Sequence, residues 1–385
     1  MQERLALTLL VLVASGGGSV ACGGGNGDGP APLPDAGPLS CPASAPILGA
    51  AGEVTTESFP LTFDETGVAA VDVVVPDDLT SLALVADDGL EFTAFWRVAQ
   101  DGRIWIDLET DPDGLRTPFF HTWNHSASLI FPIHETSALQ PGCLRVEALS
   151  DGAGIGATLH VLARRRAEGG TLRVDLVQVG TTELPGATLD ALALELETVV
   201  DATGLPITIE VATAAVDGDP FPRAEGDAAL ALRGSYRPAD PNRVPIYVIQ
   251  GFRDELDTLG IAGGIPGANG VPGAASAGVI VAVDAHLTED GEVDVLLMAE
   301  TTAHELGHQL GLFHTSEAEG LDHDPLGDTP ECDADRDSDG DGTVSAEECE
   351  AQGGRNLMFW VSGDFSQREL SPWQRRVLAL SPVVR

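Results

Sequence analysis

The sequence contains no lysine. Its fixed side-chain cations are 20 arginines, set against 60 carboxylates, for a formal net charge of −40 over 385 residues. Positive charge this sparse excludes the phosphate-neutralising surface that nucleic-acid binding requires. It suits a soluble, exported protein in a calcium-rich or salty setting, or plain surface solubility. Long apolar runs are missing too: the N-terminal run Leu5–Val13 is too short to span a bilayer. Histidine is scarce, at 9 residues, so a cluster of it stands out. Cysteine is scarce and odd in number, at 5: Cys22, Cys41, Cys143, Cys332 and Cys349.

The N-terminus accounts for the odd cysteine. Arg4 precedes the apolar run, and small residues lead to Ser19-Val20-Ala21-Cys22, the pattern of a secretory signal over residues 1–22. Its end resembles a bacterial lipobox, with Ser19 where leucine is usual; ordinary cleavage near Ala21 is the alternative. With Cys22 lipidated, four cysteines remain, enough for two disulfides in an oxidising compartment. The expected location is exported, as a cell-envelope lipoprotein or a secreted protein, touching a membrane only through that anchor. Residues 23–40 are dominated by glycine and proline and read as a linker.

Residues 41–165 read as an all-β, sandwich-like domain. Short apolar or alternating runs such as Ala69–Val75, Ser81–Ala86, Ser128–Ile133 and Cys143–Leu149 are separated by turn signals. Cys41 and Cys143 bracket this region and fit a staple between its ends. His121, His125 and His134 match no zinc spacing and read as structural. Arg164-Arg165-Arg166 then breaks the acidic trend at a boundary, as either a solvated linker cluster or a processing site. From residue 170 strands alternate with helices: strands at Thr171–Val179, Ile207–Thr213, Val244–Ile249 and Gly278–Val283, and a helix at Leu189–Val200. That order predicts an α/β (α+β) domain over 170–385 with a mostly parallel sheet. The Gly/Ala/Pro-rich stretch Gly260–Ala277 is either the rim of a cleft beside an edge strand or a loose surface loop.

The most informative stretch is His304-Glu305-Leu306-Gly307-His308-Gln309-Leu310-Gly311-Leu312-Phe313-His314. His304 and His308 are one helical turn apart on one face, so both imidazoles reach one small cation. Gly311 permits a sharp turn that returns His314 as a third ligand. Three neutral nitrogens with a fourth position left open describe a catalytic Zn²⁺ site. Glu305 lies beside the ligands, where a general base belongs.

Further on, Asp337-Ser338-Asp339-Gly340-Asp341-Gly342-Thr343-Val344-Ser345-Ala346-Glu347-Glu348 follows the register of a calcium loop. Asp337, Asp339, Asp341, the Thr343 carbonyl and Glu348 are the candidate Ca²⁺ ligands, and Val344 fills the apolar position. Cys332 and Cys349 flank the loop, and a disulfide between them pre-orders a structural site. Ser371-Pro372 opens a capped helix near the end.

Taken together, these motifs resemble the metzincin metallopeptidases. After the extended zinc motif, that family has a tight turn with a methionine beneath the histidines; Met358 is its counterpart. His314-Thr315, Asp328-Thr329-Pro330, Asn356-Leu357-Met358 and the Ser371-Pro372-Trp373-Gln374 helix resemble the pappalysin-like group in particular. The resemblance covers roughly 171–385. It implies a twisted five-stranded sheet above a cleft, an irregular lower lobe, bound calcium, and cleavage of a protein or peptide substrate. Trp360 stands where relatives often carry a tyrosine, the acidic loop is an insertion, and the β domain has no counterpart. The expected activity is zinc endopeptidase with Glu305 as base. The competing class is an inert, calcium-stabilised surface binding or adhesion lipoprotein.

Overall fold

The computed structural model describes residues 39–385 other than 50–53, 88–92, 110–124, 151–156, 166–167, 181–183, 185, 218–226 and 254–257. The signal-like segment with Cys22, most of the linker, His121 and Arg166 lie outside the described residues.

The first half is built of β1 (Val54–Pro60), β2 (Val68–Val75), β3 (Leu79–Asp87), β4 (Thr93–Gln100), β5 (Arg103–Asp107), β6 (Ser126–Phe131), β7 (Gly142–Ser150) and β8 (Thr158–Arg165). They form two antiparallel sheets, ordered β1-β8-β3-β6 and β2-β7-β4-β5. One apolar cluster draws on both: Leu82, Leu84, Leu129 and Val161 from the first, Val73, Phe95, Val98 and Val146 from the second. A Cys41–Cys143 disulfide ties positions 102 residues apart.

The second half contains β9 (Gly170–Val179), α1 (Gly186–Ala202), β10 (Ile207–Val216), α2 (Asp227–Ser235), β11 (Val244–Ile249), β12 (Gly260–Ala262), β13 (Val279–Ala282), α3 (Val295–Gln309) and α4 (Pro372–Leu380). Its sheet runs β10-β9-β11-β13-β12, parallel except for the antiparallel edge strand β12. Apolar residues run almost continuously along β11 and β13 because both faces are covered. Ile246, Val248, Val279 and Val281 pack with Leu196 of α1 and with Met298 and Leu306 of α3. Tyr247, Ile249, Ile280 and Ala282 pack with Ala229 and Leu232 of α2 on the other face. Among the described residues no helix is long and apolar enough to cross a membrane.

No solvated linker separates the halves at Arg164. Its side chain is 1% exposed at the end of β8. Nη1 donates to Ala379 O at 2.8 Å and Ser381 O at 3.2 Å, and Nη2 to Gly169 O. The charge therefore sits at the carboxyl end of α4, where the helix dipole favours a cation. Arg165 pairs with Asp78 at 2.5 Å. The β1-β8-β3-β6 sheet also meets the second half: Ala83 of β3 and Leu162 of β8 join the core beneath the mixed sheet. The stretch 260–277 is no loose loop either. Ala268, Val271, Ala274 and Ala277 are buried against Val85 of β3. Its glycines follow from close approach, since a β-carbon on Gly270 would overlap the Leu162 side chain.

Candidate metal centre

Helix α3 is capped by Asp294, whose side chain accepts from Leu297 N at 3.0 Å. It carries His304 and His308 on one face and ends at Gly311, whose φ of +111° turns the chain back. The turn brings His314 Nε2 to 3.2 Å from His304 Nε2 and 3.0 Å from His308 Nε2. The opposite ring nitrogens are all engaged. His304 Nδ1 faces Leu357 O at 2.7 Å, His308 Nδ1 faces Leu312 O at 2.7 Å, and His314 Nδ1 faces Glu317 Oε2 at 3.0 Å. A carbonyl or carboxylate only accepts, so each Nδ1 carries the proton and each Nε2 is a lone pair aimed inward. Three lone pairs crowded together without a donor fit a cation between them, and neutral imidazole suits zinc. Burial first, then His314, holds His304 down to about 3 and keeps it neutral. Burial first, then His314 and His304, also pushes His308 well down.

Glu305 is 8% exposed and lies against the edge strand, where Gly260 leaves room that a β-carbon would take from its Cγ. Burial raises its carboxyl to about 7, opposed by His314, the Ala262 backbone and Arg233. Arg233 on α2 is buried and donates through Nη2 to Ala262 O at 3.2 Å. Neither Arg233 nor Glu317 was singled out from the sequence. Glu317 carried one readable signal, a carboxylate three residues after a metal-ligand candidate. Arg233 carried none, because its reach to β12 is a product of the fold.

Met358 is fully buried, and its sulfur lies so close over Gly307 that a β-carbon there would clash. The motifs that carry the family resemblance bond to one another. Asn356 Oδ1 accepts from Met358 N at 2.8 Å, and Asn356 Nδ2 donates to Gln374 Oε1 at 2.8 Å. Gln374 and Ser371 form a capping box on α4. Asp328 accepts from Ser371 Oγ at 2.7 Å and Trp373 N at 2.9 Å. Asp324, also unforeseen, is buried beside Thr329, and burial lifts its carboxyl to about 7.

In the acidic loop, carboxylate oxygens of Asp337, Asp339 and Glu348 gather within 4.8 Å of one another. Asp341 accepts from Thr343 N and Oγ1, both at 2.8 Å. Hydrogen bonds from Ser338 and Ser345 hold Glu348 down to about 2. Val344 is buried, and its carbonyl accepts from Trp360 Nε1 at 2.7 Å, so the indole is committed to the loop. The Cys332–Cys349 disulfide closes the segment. The hard oxygen donors of this loop fit calcium. Elsewhere, His134 is buried, with Thr136 N donating to its Nδ1 at 3.3 Å.

No protein-family model matches the sequence, and no curated protein matches it. Solved metalloproteinase structures resemble parts of it. Metalloproteinase-II from Bacteroides fragilis is 14% identical, with 43% of this chain and 56% of that chain covered and a TM-score of 0.27. Archaemetzincin from Methanopyrus kandleri is 19% identical over 39% of this chain and 79% of that chain, with a TM-score of 0.28. Archaemetzincin from Archaeoglobus fulgidus, complexed with malonate, is 18% identical over 40% of this chain and 86% of that chain, with a TM-score of 0.26. The chain thus spans little more than half the length of the Bacteroides fragilis protein. The likeness is partial, and the chemistry follows from the chain's own residues.

Proposed function

We propose that this chain is a zinc-dependent hydrolase. More narrowly, it is a metzincin-like endopeptidase whose lower part is of the pappalysin type, preceded by a β-sandwich domain. One observation carries the reading: three Nε2 lone pairs converge, with every Nδ1 proton engaged elsewhere, beside a buried carboxylate on the same helix.

His304, His308 and His314 would hold the ion. When bound, zinc polarises a substrate carbonyl and acidifies water. The chain's residues do the rest. An extended peptide lies along β12, the last strand of the mixed sheet, which runs past Glu305. Glu305 takes the proton of the attacking water and delivers it to the departing amine, so the products are two peptides. Its raised pKa matches a group that must both accept and release a proton near neutrality. Met358 packs against Gly307, which stands between Glu305 and His308 on α3, and so supports the helix that carries two of the histidines. Asp337, Asp339, Asp341, the Thr343 carbonyl and Glu348 would hold calcium, which would brace the lower part without entering the chemistry.

The test is zinc-dependent cleavage of a mixed peptide library by the wild type and by Glu305→Ala. Cleavage by the wild type and none by the variant, at equal zinc content, is the expected result. Equal rates would overturn the reading. The competing class, an inert surface binding or adhesion protein, is favoured by Trp360: its indole turns to Val344 O, so no aromatic hydroxyl is supplied from that position.

A further inference from the structure

His304 and His308 are held by a helix, whereas His314 stands in the turn beyond it. Its own half holds that turn through Leu312 N to Gly307 O and Thr315 N to Met358 O, both at 2.9 Å, and the other half of the molecule adds an apolar seat. Leu312 and Phe313 are adjacent in sequence but belong to different cores. Leu312 packs beneath the mixed sheet, and Phe313 packs into the cluster between the two antiparallel sheets. Phe313 is 6% exposed. Gly311 is pressed on the same surface, since a β-carbon there would lie 3.0 Å from Ile130 Cγ2 on β6.

A second brace meets the end of α3. Gln309 O accepts from Gly267 N at 3.0 Å and from Asn269 Nδ2 at 2.7 Å. The segment that donates these bonds is buried against Val85 of β3, and its Ser276 bonds Ser126 of β6 at 2.6 Å. The residues on both sides of the metal-site turn are therefore seated on β3 and β6. Glu135, just after β6, also accepts from Gly327 N at 3.0 Å in the lower part of the second half.

We infer that the N-terminal half is a working part of the metal centre: its sheets seat Phe313, and Phe313 positions His314 for the ion. The inference rests on the zinc reading above. The physical basis is that a ligand's affinity depends on the groups that fix its orientation. Losing such a support weakens metal binding by about 10- to 100-fold. Glu317, which accepts from His314 Nδ1 at 3.0 Å, is carried by the same turn, so the seats of that turn, at Phe313 on one side and through Thr315 N to Met358 O at 2.9 Å on the other, set where its ring lies.

The test uses the full chain and measures zinc affinity by competition with a chromophoric chelator. Phe313→Ala and Ile130→Ala are expected to weaken zinc binding by about tenfold or more, while Phe313→Leu, which refills most of the seat, restores it to within about threefold. Val73→Ala on β2, in the other antiparallel sheet, lowers stability by a comparable cavity effect and leaves zinc affinity unchanged. Wild-type affinity in both Phe313→Ala and Ile130→Ala, or an equal loss in Val73→Ala, would overturn the inference. If Phe313→Ala does not fold, Ile130→Ala decides. In the metal-free chain, Ile130→Ala should shift the His314 ring resonances and leave those of His304 and His308 in place, while Phe313→Leu leaves all three near their wild-type positions. A wild type that binds no zinc removes the zinc reading alone, and the seating of His314 then stands or falls on those resonances.

Discussion

The histidine centre and the acidic loop both gather metal-ligand side chains, and they do so in opposite ways. In the centre, every Nδ1 is satisfied and every Nε2 is left facing another lone pair in a half-buried site. In the loop, the carboxylates lie at the surface and already accept from the loop's own amides and hydroxyls: Gly340 N and Gly342 N on Asp337, Ser338 and Ser345 on Glu348. The first arrangement is unfavourable until a cation arrives. In the second, the amide bonds shape the loop in advance and leave Asp337 lone pairs for a cation. The histidines are thus unsatisfied without a cation, whereas the loop holds part of its shape by its own bonds.

Removing the chemistry should give the largest effect. Glu305→Ala is expected to lower peptide cleavage by about 10³-fold or more with zinc content unchanged, measured by library turnover beside metal analysis. Next comes the loop. Calcium near a hundredfold excess over its dissociation constant should add about 2.7 kcal/mol of stability, read as a rise in melting temperature with zinc held constant. Activity should fall on calcium removal while zinc stays bound. Indifference of both would reduce the loop to local decoration. Gly307→Ala should then cost about 1–3 kcal/mol in denaturant melts, because Met358 occupies the space of the added methyl.

Acid separates the two sites in metal-free protein. The folded pKa of His304 lies below its unfolded value, so the unfolded chain binds more protons between about 6.5 and about 3, and stability is lost as pH falls through that window. Glu348 is also depressed, so its contribution is present above about 4.5 and lost as pH falls toward about 2. Glu348→Gln should abolish the lower step and leave the upper one, as followed by melting temperature against pH. The smallest effect belongs to Trp360→Phe, which removes the bond to Val344 O and should cost about 1 kcal/mol.

The histidine centre was legible because its geometry is local: a four-residue spacing, a glycine turn and a third histidine lie in one stretch. Met358, Asp328 and Gln374 were singled out only by family resemblance. What joins them is a set of bonds spanning 18 to 45 residues, beyond the reach of periodicity. Arg164 was misread for the same reason. A run of arginines looks solvated until the carbonyls of Ala379 and Ser381, more than 200 residues away, are brought to it. The stretch 260–277 was ambiguous because small residues serve a loose loop and a tightly packed one alike. Gly270 is small because Leu162 lies against it.

The buried Arg164 guanidinium also bears on heat resistance. The side chain belongs to the first half, its hydrogen bonds end on carbonyls of the second, and the two halves share one core cluster, so neither half can melt without uncovering the other. The chain should therefore lose its structure in one calorimetric transition. A ligand taken up by the histidines would then slow hydrogen exchange as far away in the sequence as β8.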